Sequence, residues 1–117
     1  MTLTEFLLAR IADDEAVARA AEAHYDAADW SVSGPEDWPV LWGYLPVRSS
    51  VDPGTIEPKV AAHVVRQGPA RVLAECAAKR TLVAAYDDQP EDGTIAAVLA
   101  LAAVWSDHPD YDEAWRP

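Results

Sequence analysis

The chain has 117 residues, half of them apolar, which is enough for one modest hydrophobic core and a single domain over 1–117. A formal net charge of −11, from 9 basic and 20 acidic side chains, argues against direct nucleic-acid binding and against an anionic bilayer. One cysteine rules out an internal disulfide and any multi-cysteine zinc site. The first nine residues carry no basic n-region, and the longest apolar run, 95–105, is too short to span a bilayer, so the expectation is a cytoplasmic protein without membrane contact.

Thr2 and Glu5 form a T-x-x-E capping box, so the first helix starts at Thr2 and runs to about 27. Its apolar stripe is Leu3, Phe6, Leu7, Ile11, Val17, Ala18, Ala21 and Tyr25. Arg10 and Asp14 interrupt that stripe, while Glu15 falls on the solvated side or its border. After Asp29 the period changes to short aromatic and β-branched segments, Trp30–Val32 and Val40–Leu45, parted by Gly34-Pro35. They predict a small hairpin within 30–51, with Val47–Val51 as a candidate third strand and Trp30, Trp38 and Trp42 covering a helix pair. Asp52-Pro53-Gly54 is a turn, and 57–67 predicts a short helix with Val60, Ala61, Val64 and Val65 inward.

Gly68 as N-cap and Pro69 at the first helical position mark the start of a helix over 69–86. At about 100° per residue, Val72, Leu73, Cys76, Ala77, Val83 and Ala84 share a face, and Arg80 lands in its middle. A guanidinium there must reach solvent, meet a carboxylate or line a site. Asp14 occupies the equivalent place on the first helix, so the two pair across a helix seam or, failing that, are hydrated separately. Cys76, beside alanines and valines, reads as inert packing.

An acidic loop over 87–93 leads to Thr94, which caps a last helix over 94–106. That helix is apolar on nearly every face, so neighbours or an oligomer contact must cover it, and a homodimer is one way to do so. In the tail, Tyr111 and Trp115 are four apart and suited to anchoring one turn onto the body, with Asp107 capping it.

No phosphate-binding glycine loop, nucleophile elbow or H-E-x-x-H is present. His24, His63 and His108 lack ligand spacing, so neither a metal nor a cofactor is expected. The carboxylates are scattered, which fits plain solubility; a surface for a basic protein partner is the sharper alternative.

The segments His63–Leu73 and Ala78-Lys79-Arg80, with Asp107-His108-Pro109-Asp110-Tyr111 through Trp115-Arg116-Pro117, and Phe6-Leu7, Ala9-Arg10 and Asp13-Asp14-Glu15 near the start, resemble a family of small uncharacterised proteins of actinobacteria and their phages, a domain of unknown function. The resemblance implies no activity. Many members carry a cysteine cluster before the D-H-P-D-Y motif that is suggestive of zinc; this chain has the acidic loop there, so the same ligands cannot serve it.

The fold expected is α+β and mostly helical, four helices packed with a small β-hairpin or three-stranded sheet. The function expected is a noncatalytic acidic interaction protein with a protein partner. The alternative is a ligand-binding or enzymatic domain with a polar site from Asp14, His63, Arg80, Asp107 and His108.

Overall fold

A computed structural model describes residues 1–25, 31–33, 40–42 and 58–117. Helices dominate them: α1 (Leu3–Tyr25), α2 (Pro58–Arg66), α3 (Pro69–Asp88) and α4 (Asp92–Ala102), with 3-10 turns at Ala103–Trp105 and Glu113–Trp115. The α+β class, with its hairpin or three-stranded sheet, is corrected. Strand structure among the described residues amounts to β1 (Ser31–Ser33) antiparallel to β2 (Val40–Trp42), three residues a side with Val32 opposite Leu41. A ladder that short is no sheet layer, and it has too few hydrogen bonds to stand alone. The candidate third strand at 47–51, the turn at 52–54 and the side chains of the three tryptophans lie outside the described residues.

The residues form two compact units, Met1–Glu15 with Ala74–Pro117, and Ala16–Leu73. In the first, Leu3, Phe6, Leu7 and Ile11 of α1 are buried together with Cys76 and Val83 of α3 and Val98 and Ala102 of α4. The Thr4 hydroxyl donates to Asp87 at 2.6 Å and the Cys76 thiol to the Ile11 carbonyl at 3.9 Å. As one number rises the other falls, so α1 and α3 run antiparallel in this unit. In the second unit α2 lies beside β1. Ala18 is buried there, whereas Val17 and Val60, both expected inward, are 72% and 50% exposed.

The helix ends follow local chemistry. The Gly68 carbonyl accepts from the Val72 N–H at 3.1 Å, and α3 begins at Pro69. At α4 the expected cap shifts: Glu91 is the N-cap, and Thr94, at the third helical position, accepts the Glu91 N–H at 2.9 Å through its hydroxyl. No helix among the described residues is long and apolar enough to cross a membrane.

At the start of α1 the Thr2 N–H donates to the Glu5 carboxylate at 2.7 Å, and the Glu5 N–H donates to the Thr2 hydroxyl at 3.1 Å. The hydrogen bonds from Thr2 hold the Glu5 carboxyl below its ordinary range. A carboxyl depressed in the folded state stabilises the fold above its unfolded pKa, and that contribution disappears as pH falls through the folded one. Glu5→Gln should therefore melt below the wild type at neutral pH, with the gap closing once pH drops well under about 4. Paired melts by circular dichroism across that range would reject this cap if the gap stayed constant.

Candidate functional site

The period of α3 explains where Arg80 ends up. Cys76 and Val83 are buried, Val72, Lys79 and Tyr86 half-buried, and Ala77 and Ala84, expected on the inner face, are exposed. The inner face is therefore rotated away from the expected one, and Arg80 stands at its border. From there its side chain, 40% exposed, reaches α1, where Nε and Nη2 each donate to a Glu15 oxygen at 2.8 Å. This bidentate pair replaces the expected Asp14–Arg80 pair. Glu15, placed on the solvated side or its border by its period, is only 13% exposed. The Glu15 hydrogen bonds push the Arg80 pKa up, keeping the guanidinium charged.

Asp14 meets Lys79 instead, at 3.8 Å, and the Lys79 ammonium also lies 5.2 Å from the Trp105 ring centroid. Cys76 beneath them is fully buried, and burial raises its thiol pKa, which disfavours the thiolate.

A second cluster surrounds Phe6. Its fully buried ring meets His108, Tyr111 and Trp115 at centroid distances of 5.8, 6.0 and 5.1 Å, and Tyr111 and Trp115 are edge-to-face at 5.8 Å. Arg10, one turn on, covers the same ring at 5.6 Å, donates through Nη1 to the His108 imidazole and pairs with Asp13 at 2.9 Å. Its Nη1 is also 4.0 Å from an Asp110 oxygen. Asp110 returns its backbone N–H to His108 Nδ1 at 3.1 Å, so the imidazole accepts on that nitrogen. Among the described residues Arg10 Nε and the Tyr111 hydroxyl are buried without a hydrogen-bond partner. The terminal turn is capped by Asp112, which accepts from the Ala114 N–H at 2.9 Å, rather than by Asp107.

The five residues selected from sequence thus take separate roles. Arg80 is clamped to Glu15, Asp14 pairs with Lys79, His108 belongs to the Phe6 cluster, Asp107 is exposed beside Ser106, and His63 is exposed on α2 in the other unit. Arg80 meets no tail carboxylate among the described residues. Sequence reading missed Glu15 and the Arg10–His108 contact; an arginine inside an apolar stripe was the available signal for the second. Among the described residues no group of three or more His, Cys, Asp or Glu is placed to hold a metal ion.

The residues that build the Phe6 cluster and the Arg80 clamp are drawn from the motifs that carry the family resemblance, and a family of unknown function, DUF6221, matches residues 1–117. The chain belongs to DUF6221. No curated protein and no solved structure matches it. In this DUF6221 chain Phe6, Arg10, Asp14 and Glu15 near the start, Lys79 and Arg80, and His108, Tyr111 and Trp115 at the end make contacts that tie α1 to α3 and to the tail, whereas the motif segment His63–Leu73 takes no part in them.

Three variants test this assignment. Arg80→Met strips two charge-assisted donors from the more shielded partner, whereas Glu15→Gln leaves Arg80 able to turn to water, so Arg80→Met should lower the urea midpoint more; the reverse order would reject the clamp. Trp115→Ala opens one side of the Phe6 ring and should cost about 2 kcal/mol, less than a fully buried aromatic because Trp115 is only half-buried. A urea midpoint unchanged by that substitution would show that the tail does not hold the body.

Proposed function

We propose that this chain is a noncatalytic acidic interaction protein, of actinobacterial or phage origin, that binds a protein partner in the cytoplasm. The Arg80 clamp is the observation that carries the reading. A catalytic or small-ligand site needs polar groups converging with unspent hydrogen-bonding capacity. Here the guanidinium that singled itself out in the sequence spends Nε and Nη2 on one carboxylate, and the histidine of the tail is spent on Arg10; Arg10 Nε and the Tyr111 hydroxyl, the buried atoms with capacity left among the described residues, belong to the cluster closed around Phe6. What supports a protein partner is the surface left over, which is acidic and, along one helix, apolar. The motif resemblance supports the origin.

Native mass spectrometry of the full chain purified from its host tests the reading. The expected result is a protein partner in fixed stoichiometry that re-forms the same complex from purified components. A retained metabolite in place of a partner, bound again by the purified chain, would overturn it in favour of the ligand-binding alternative.

A further inference from the structure

α4 is the helix whose solvent side does not look like a solvent side. Every residue over 95–105 is apolar. Only Val98 and Ala102 are buried, while Ala96, Ala100 and Val104 are exposed, Val104 by 68%, and Ala97, Leu99 and Ala103 beside them are half-buried. At about 100° per residue Ala96, Ala97, Leu99 and Ala100 share the outward half of α4, and Ala103 and Val104 of the following 3-10 turn continue it. A helix apolar all round is ordinarily covered on all sides. The alanines leave a shallow surface that lets another helix approach to about 8–10 Å and seat larger side chains between them.

The charge around the face identifies what covers it. From Thr81 to Trp115 the sequence has no lysine or arginine and eight carboxylates, Asp87, Asp88, Glu91 and Asp92 before the apolar run and Asp107, Asp110, Asp112 and Glu113 after it. All eight are exposed. The cations near them are engaged, Arg116 with Glu113, Arg10 with Asp13 near Asp110, and Lys79 over the Trp105 ring, so carboxylates still outnumber cations at both ends. A second copy laid on this face, parallel or antiparallel, would set carboxylates against carboxylates at both ends. A cationic partner meets opposite charge at both ends and apolar surface between them.

We propose that the outward half of α4 is a docking surface for a cationic amphipathic helix of the partner protein, an assignment that rests on the protein-binding reading above. α4 has 11 residues, about 16 Å of helix, so the partner presents a stripe of large apolar side chains about three turns long with lysines or arginines at both ends.

The probe is a fluorescein-labelled leucine–lysine amphipathic peptide of about 18 residues, titrated against the full chain by fluorescence anisotropy, with a scrambled peptide of the same composition as control. Saturable binding of the helical peptide is expected, weaker at high salt. Ala100→Glu and Val104→Glu change exposed positions and should leave the circular dichroism spectrum intact. Each adds a carboxylate, which would strengthen attraction by charge alone, so a loss of about tenfold or more in affinity reads out the apolar contact. The proposal is overturned by an absence of binding, by equal binding of the scrambled peptide, or by glutamate variants that bind as well as the wild type. A wild-type dimer in sedimentation velocity that Val104→Glu splits would assign the face to a second copy instead. A photo-crosslinking residue at position 104 separates the two levels of inference. If a reconstituted protein partner is never captured from there, the α4 assignment fails while the protein-binding reading stands; if no partner reconstitutes at all, both fail.

Discussion

The closure of the tail over Phe6 is the contact on which the rest of the first unit depends. Phe6 has no exposed surface, and the side chains that remove its last water are His108, Tyr111 and Trp115, with Arg10 laid across the same ring. Each aromatic pair contributes about 0.5–1.5 kcal/mol beyond the area it buries. Half-exposed ion pairs contribute about 1 kcal/mol or less after screening, so Lys79–Asp14 and the fully exposed Arg116–Glu113 contact are minor beside the ring cluster. With Phe6 held, Leu7 and Ile11 follow on the same helix into the space beside Cys76 and Val83. The Arg80–Glu15 clamp has a different role: two parallel hydrogen bonds of fixed geometry tolerate little sliding, so it sets the register of α1 against α3.

The parts of this fold legible in the sequence are those encoded within a turn or two. The Thr2–Glu5 box, the Gly68-Pro69 start and the four helical stretches all rest on neighbours in the chain. Side-chain partners were less legible because period alone leaves the phase of a helix uncertain by about the spacing of one residue. Asp14 and Glu15 are consecutive carboxylates about 100° apart, and a modest rotation of the inner face of α3 exchanges one for the other as the partner of Arg80. The aromatic and β-branched content near 30–51 was read as a sheet, yet composition sets a preference and not a pairing length, and the pairing among the described residues is three residues a side. The Arg10–His108 contact spans 98 positions, beyond the reach of any local pattern.

Of the candidate site, sequence reading found residues that matter and assigned them to the wrong neighbours. Arg80 and His108 stood out as polar groups amid apolar ones, and each does carry specific contacts, but with Glu15 and Arg10. Polar residues set in apolar stripes signal either a site or a fastening, and only partner geometry tells them apart. α4 shows the complementary lesson. Its uniform apolarity announced a surface needing cover, while the charge that selects the cover lies in the loops at its two ends.

The separation of partners along the chain also sets an order of folding. The side chains that meet α1 lie 65 residues on from their partners, at Cys76 and Arg80, and 98 residues on, at His108. Such distant contacts return stabilisation only after the entropy of closing a long loop has been met. Until the segment from His108 to Trp115 folds back, Phe6 lacks the three rings that meet it among the described residues, and α1 rests largely on its own capping and propensity. Docking of α1 is therefore a late step of folding, one that waits on the segment farthest from it along the chain.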